Sequence, residues 1–410
     1  MEEFGERNWK RTLYASTVAQ FFCGTGFSFV FPFMPLYIRS MGVTNAADLR
    51  QWAGLVSGAS SFTMAIFAPI WGSVADRHGR KLMAMRAMFG ASLMLALMGF
   101  ARSPGQLMAL RLAQGALSGV IAANTALVAS VTPAARMGYA MGLIHAAAHA
   151  GRVFGPTLGG LLADWFNFRV AFWVGAGLLL GAGALVKFFT SAPPAPPGAH
   201  KGGLASWTGL FALAGFSVAL IAMFQVQFAT SIAMPIFPLL VESLRGTGEK
   251  AASITGAIFT VNAVAGVVST GWLGRMSDRV GHRKLLIVCS LAAAVILLLH
   301  AAAQNVGQVF ALRFLLGLAT AGLIPSATAL VRRAVPAQNI GKAFGVAQSV
   351  RSLGMTAGPL AGGCIAAHIP GEAGLRVPFL VTGVVFLLVP IVVMLLLKPD
   401  GRGENPAEPS

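Results

Sequence analysis

Apolar runs long enough to cross a lipid bilayer follow one another from residue 12 to residue 397, with short polar gaps between them. A helix needs about 20 apolar residues to span the hydrocarbon core. The spacing predicts twelve spans: 12–38, 51–74, 83–101, 106–131, 138–163, 169–190, 210–241, 251–274, 284–302, 307–331, 339–368 and 376–397. The runs do not alternate polar with apolar, which excludes a β-barrel. Mean hydropathy is +0.73. Only 10% of residues are charged, too few to clothe a soluble chain of 410 residues. The run after MEEFGERNWKR is too long for a signal-peptide core, so a retained first helix is expected.

The stretch SAPPAPPGAHKGGLAS at 191–206 is Pro/Gly-rich and polar, and it reads as a linker. The expected organisation is a six-helix bundle over 1–190, a cytoplasmic linker over 191–206, a second six-helix bundle over 207–397 and a cytoplasmic tail over 398–410. The net charge of +17 does not indicate a nucleic-acid binder, because the basic residues sit in short gaps rather than on one face. With the N-terminus inside, nineteen of the thirty Lys and Arg fall on the inner side and seven on the outer. This bias predicts that both termini are cytoplasmic. The remaining four, Arg111, Arg152, Arg313 and Arg351, fall inside spans. Cys23, Cys289 and Cys364 lie in separate apolar runs and read as buried helix residues rather than a disulfide or metal set. No N-x-S/T sequon occurs, which fits a bacterial protein.

Four punctuated motifs recur at a nearly constant offset. PFMPLYI at 32–38 answers PIFPLLV at 235–241. Asp76-Arg77 answers Asp278-Arg279. ALRLAQG at 109–115 answers ALRFLLG at 311–317, and GPTLGG at 155–160 answers GPLAGG at 358–363. The offset is 202 or 203 throughout, which indicates duplication. Both halves start on the same side, so the repeat is parallel, with a site expected at the interface of the bundles.

Each motif has a physical reading. Gly72, Asp76, Arg77, Gly79 and Arg80 lie between the second and third spans, and Asp278 and Arg279 repeat them. Gly79 permits a tight turn. Asp76 can meet the positive N-terminus of a neighbouring helix, a contact that would gate a two-state protein. Gly151, Gly155 and Gly159 form a stripe on the fifth span, and Gly354, Gly358 and Gly362 repeat it on the eleventh. Such stripes let helices approach closely, and Pro156 and Pro359 each remove a backbone hydrogen bond and can act as hinges.

On these motifs the chain resembles the major facilitator superfamily over essentially all twelve spans. Gly72-x3-Asp76-Arg77-x-Gly79-Arg80-Lys81 matches the family's loop signature in full, and the second copy has His282 where a basic residue is usual. Arg111-x2-Gln114-Gly115 resembles a signature linked to proton transfer in exporters. Gly151-x3-Gly155-Pro156-x2-Gly159-Gly160 resembles the antiporter signature. NWKR at 8–11 with FPFMPLYI at 31–38 resembles the MdtG-type drug:proton antiporters. The resemblance implies an all-α fold of two six-helix bundles in the inner membrane, with a small-molecule substrate, protons as coupling ion, no cofactor or metal, and action as a monomer.

One departure from that pattern matters. Drug:proton antiporters usually carry an embedded carboxylate, yet none of the thirteen acids here falls mid-span. The central charge is basic: Arg152 in the fifth span and Arg351 in the eleventh. Unpaired cations are costly there, so they are expected to face water or a substrate. His145 and His149 lie one turn apart beside Arg152, and either can carry a proton or serve a structural role. The expected substrate is neutral or anionic and amphipathic. Polar contacts are expected from Gln20, Asn124, Gln225, Gln227, Asn262 and Gln348, and an apolar wall from Phe27, Phe31 and Phe224. Arg111 is expected to face the cavity.

The expected function is efflux by alternating access. The alternative is an anion or metabolite exporter, exchanger or uniporter that protons do not drive. The chain carries no P-loop, so transport is not ATP-driven. An enzyme is not expected, for want of a nucleophile–base set.

Overall fold

The computed structural model describes residues 6–191, 214–245, 250–336 and 339–396. The expected linker from residue 192 onward, the tail, and the side chains of Asp76, Arg77 and Asp278 lie outside the described residues. Twelve spans cross the fold. Span 1 is α1 (Glu6–Ser28) and α2 (Met34–Ser40); span 2 is α3 (Ala46–His78); span 3 is α4 (Arg80–Met98). Span 4 is α5 (Pro104–Ala116) and α6 (Val120–Val131), span 5 is α7 (Met137–Trp165), and span 6 is α8 (Phe168–Phe189). The second half repeats this order. Span 7 is α9 (Ala214–Ile232) and α10 (Phe237–Arg245); span 8 is α11 (Ala251–Val280); span 9 is α12 (His282–Ala301). Span 10 is α13 (Val306–Thr320) and α14 (Leu323–Arg333), span 11 is α15 (Ile340–His368), and span 12 is α16 (Ala373–Leu396).

The helix starts are written in the sequence, twice. Ser103 accepts a hydrogen bond from Gln106 N while Gln106 Oε1 accepts from Arg102 N. Asn305 and Gln308 repeat this reciprocal cap at the start of α13. Gly79 and Gly281 adopt the same conformation, φ 91° and ψ 145°, and turn α3 into α4 and α11 into α12. Only glycine adopts this at little cost. Just beyond these turns, Lys81 Nζ donates to the carbonyls of Lys187 and Thr190 at the end of α8, and Arg283 Nη2 donates to Met394 O near the end of α16. These cations stabilise negative helix ends.

Spans 1, 4, 7 and 10 read as continuous apolar runs, but each is broken at an equivalent place in the two halves. Hydropathy averaged over a window does not register such a break. At the span 4 break, Gly119 takes φ 110°. Trp71 Nε1 donates to Ala116 O at 2.6 Å and Arg86 Nη2 to Ser118 O at 3.2 Å, with the Arg86 guanidinium 3.5 Å from the Trp71 ring. Non-helical backbone at membrane depth is tolerated where protein satisfies it in this way. Pro156 and Pro359, by contrast, sit inside helices that run on through them.

Among the described residues the halves meet chiefly through two helix pairs, α3 with α15 and α7 with α11, with a smaller contact between α2 and α10. A Cβ on Gly54 would lie 2.5 Å from Pro359 O, and one on Gly363 would lie 2.7 Å from Gly54 Cα. In the equivalent pair, Gly256 abuts the Pro156 carbonyl and Gly160 abuts Ala252. The predicted glycine stripes face the other way. Gly151, Gly155 and Gly159 pack on Phe21, Thr25 and Phe29 of the first span, and Gly354, Gly358 and Gly362 on Phe224, Phe228 and Ile232 of the seventh. The stripes therefore build each bundle, and their neighbours Gly160 and Gly363 join the bundles.

All this contact lies toward the end opposite the chain termini. Toward the other end the same helices part. A Cβ at Gly72, Gly138, Gly142, Gly271 or Gly274 would have no atom within 4 Å. Among the described residues the halves are thus closed on each other at one end and open at the other. In the orientation the basic residues predict, the open end is cytoplasmic. Cys23 and Cys289 are buried as expected, but Cys364 is exposed on α15, its thiol 3.7 Å from His368 Nδ1 one turn further on.

The glycine geometry predicts a sharp contrast in stability. Gly362→Val drives a branched side chain into the Ile232 backbone and is expected to cost about 1–3 kcal/mol. Gly142→Ala meets open space and removes a helix-interior glycine, so it is expected to be neutral or stabilising by about 0.5–1 kcal/mol. Thermal unfolding of the purified variants in detergent reads both.

Candidate substrate site between the two bundles

The four arginines inside spans have separate environments. Arg111 is buried at 8% exposure and donates to Gln114 Oε1 at 3.0 Å on its own helix. It neither reaches the membrane surface nor enters the space between the bundles. Arg313 lies with its guanidinium 3.8 Å from the Phe237 ring and 5.8 Å from that of Phe259, inside the second bundle. Arg152 and Arg351 are different, for both face the gap between the halves.

Arg152 Nη2 lies 3.2 Å from His149 Nδ1, one turn earlier on α7. Arg351 Nε donates to Gln227 Oε1 at 3.1 Å, which ties α15 to α9. The Arg351 charge acts across the gap on both Arg152 and His149, and His145 acts on His149. By the duplication, Gln348 occupies the position of His145 at an offset of 203, and Arg351 that of Ala148, the neighbour of His149. Arg152 lies roughly 20 Å from either end of α7 at about 1.5 Å per residue, which is mid-membrane depth. Among the described residues no carboxylate lies within ion-pair distance of Arg152 or Arg351. His145, His149, Arg152 and Gln348 are all exposed to the gap, and Arg351 is half-buried. Access to water is what would make two cations without a carboxylate partner tolerable at this depth.

The other expected contacts divide in two. Gln227 belongs to the site, with its amide also near Thr230 and Ser231. Half-buried Phe224 stacks on Phe228 at a centroid distance of 5.7 Å. Gln225 is half-buried with Oε1 unpartnered. Phe27 packs on the core, whereas Phe31 is 43% exposed at the break in span 1. Gln20 and Asn124 are 1% and 0% exposed, joined by a 3.0 Å hydrogen bond, with Asn124 also donating to Ser16 O. They tie span 1 to span 4 inside the first bundle. Asn262 donates to Arg313 O inside the second. Scattered amides in separate apolar runs gave no sign of this pairing.

In the loop motif, Gly72 meets open space, Arg80 Nη1 donates to Ala126 O at 3.3 Å, and Arg279 is exposed. Sequence reasoning missed the polar contacts that close the far end. Arg39 pairs with Glu242 at 2.6 Å across the bundles. Thr157 donates to Thr260 at 2.7 Å, and Thr260 to Val153 O at 2.6 Å. Asp164 accepts from Ser253, and Arg50 reaches the end of α15. Beside these contacts lies a cleft of about 330 Å³, lined by Arg39, Arg50, Glu242 and Glu372 among others. It sits outside the closure, away from the arginine–histidine cluster.

Two duplicated six-helix bundles, joined at one end among the described residues, define the class: a multi-pass membrane protein of transporter fold. The Major Facilitator Superfamily model matches residues 17–244 and again 219–410, and the chain belongs to that family. It is 35% identical to the multidrug resistance protein MdtG of Serratia proteamaculans over 384 residues, 93% of this chain and 92% of that protein. It is 33% identical to a multi-drug resistance efflux pump PmrA homologue of Lactococcus lactis, covering 90% of this chain and 91% of that one. Among solved structures, a bacterial homologue of the human lysosomal transporter Spinster, inward-facing and unoccupied, superposes with a TM-score of 0.80 at 16% identity, covering 96% of this chain and 97% of that one.

The assignment of residues to the gap is checked by cysteine labelling in a Cys364→Ser background. His145→Cys and His149→Cys are expected to react with a water-soluble maleimide. Gln20→Cys and Asn124→Cys are expected to stay protected, as read by intact mass.

Proposed function

We propose that this chain is a secondary active efflux transporter of amphipathic small molecules, working as a monomer by alternating access in a bacterial inner membrane, with both termini cytoplasmic. The observation that carries the reading is a mid-span arginine from each bundle, Arg152 and Arg351, with no carboxylate partner among the described residues, where those residues leave the halves joined at one end only. A substrate held by both arginines contacts both moving bodies, and so senses their relative position. The similarity to multidrug resistance and efflux proteins supports multidrug export as the class of task.

The site favours a neutral or anionic head group, with aromatic side chains such as Phe224 and Phe31 beside its apolar part. Two guanidinium groups offer planar donor forks for a carboxylate, phosphate or phosphonate. Proton coupling falls to His149, the imidazole beside Arg152, a side chain able to take up and release a proton. Neutral His149 accepts from Arg152 at Nδ1, and a substrate hydroxyl or amide takes that place when Arg152 turns to the substrate, whereas protonated His149 accepts from neither. Proton and substrate then compete for one nitrogen, as antiport requires.

The basic, acid-free site also supports a second reading, in which an anion leaves without a proton. An inside-negative potential favours anion exit by about 2.3 kcal/mol per charge per 100 mV, so no coupling ion is needed. Proteoliposomes separate the two. Under antiport, an imposed pH gradient drives flux of a neutral amphiphile, and His149→Gln abolishes that dependence while leaving downhill exchange. Under uniport, a potential set by valinomycin and potassium drives an anionic amphiphile with no pH gradient. In both readings Arg152→Gln with Arg351→Gln is expected to cut transport of anionic compounds at least about tenfold, since bonds to charged groups contribute about 1.5–3 kcal/mol each. Unchanged anion transport in that double variant contradicts the site.

A further inference from the structure

Two helices at the closed end lack caps of their own and receive them from the opposite bundle. The start of α11 is Lys250, in a left-handed conformation with φ 80° and no side-chain cap. The Ser253 N–H is one of the donors a helix start leaves unsatisfied. Asp164, in the last turn of α7, accepts from it at 2.7 Å and accepts from the Ser253 hydroxyl with the same oxygen. The end of α15 shows the reverse case. Arg50, on α3, is only 7% exposed. Its Nη1 donates to Ala366 O at 3.0 Å and Ile369 O at 2.9 Å, and its Nη2 to Gly371 O at 2.8 Å.

The two contacts are related by the duplication. Ser253 stands 203 residues after Arg50, and residue 367, within the stretch that Arg50 caps, stands 203 after Asp164. The two junctions have therefore diverged to opposite charges. An acid meets the positive start of one helix, and a base meets the negative end of the other. Each contact crosses between bundles, so each must break when this end opens, leaving a helix terminus uncapped.

We propose that Arg50 and Asp164 are a matched pair of trans-capping latches that set the ratio of the state closed at this end to the state open there. The inference rests on the alternating-access reading and adds to it the residues that bias the equilibrium. They are positioning residues, since neither touches the central site. The Arg39–Glu242 pair at the same end is an exposed ion pair, with side-chain exposures of 44% and 19%, and it contributes little to that ratio.

The test is a pair of spin-label distances in nanodiscs, in the Cys364→Ser background. Labels at Thr44 and Gln304 read the closed end, and labels at Ala135 and Val280 read the open one. Arg50→Ala and Asp164→Ala are each expected to raise the population with a long Thr44–Gln304 distance and a short Ala135–Val280 distance. The expected change is on the order of tenfold, the scale of losing bonds to a charged group. Arg50→Lys and Asp164→Asn, which keep a donor or an acceptor, are expected to shift it less, and Arg39→Ala least. Two states in the wild type whose ratio Arg50→Ala and Asp164→Ala leave unchanged overturn the latches alone. A single distance at each end, unmoved by substrate in the wild type and every variant, overturns alternating access and the latches with it.

Discussion

Backbone meets backbone at the junction of the two bundles, and the rest of the molecule is arranged around that contact. Gly54 against Gly363, and Gly256 against the Pro156 carbonyl, leave no room for a side chain. Without a hydrophobic drive between helices in lipid, association rests on such close packing and on hydrogen bonds. Small residues give a surface that separates without tearing interlocked side chains. Toward the other end, among the described residues, the glycines of three of these four helices meet open space, so the halves are joined at one end only.

Polar groups sharpen what glycine permits. The spans that fall outside the set long and apolar enough to cross a membrane by composition alone are 1, 2, 5 and 11. Spans 2, 5 and 11 carry Arg50, His145, His149, Arg152, Asp164 and Arg351. Their lower hydropathy is the cost of facing a partner or water rather than lipid. The breaks in spans 1, 4, 7 and 10 follow the same logic, since carbonyls released at Ala116 and Ser118 are taken up by Trp71 and Arg86. Each departure from an ideal apolar helix is thus placed where protein or water can compensate it.

Much of this was legible in the sequence, and the boundary has a physical cause. Span number, repeat and caps such as Ser103 with Gln106 are local patterns, so they read directly. Arg152 and Arg351 stood out because a cation at mid-span demands a reason. Arg50 and Asp164 did not, because a charge beside a polar loop looks like an orientation signal or a solvated edge. Gln20 and Asn124 were expected at the cavity, yet their nearest need is a hydrogen bond to each other across two helices of one bundle. The offset of 203 held a usable clue. It maps Arg50 onto Ser253 and Arg351 close to His149, and so relates positions that the fold brings together.

The account depends on the closed end having to open during transport. Thr157 and Thr260 touch across the bundles with their hydroxyl oxygens 2.7 Å apart, a separation that a disulfide between cysteines can replace. The direct measurement is transport by a Thr157→Cys, Thr260→Cys, Cys364→Ser variant reconstituted in proteoliposomes, oxidised and then reduced. The account predicts no flux once the bond has formed and recovery on reduction. Undiminished flux through the fully cross-linked protein would contradict it.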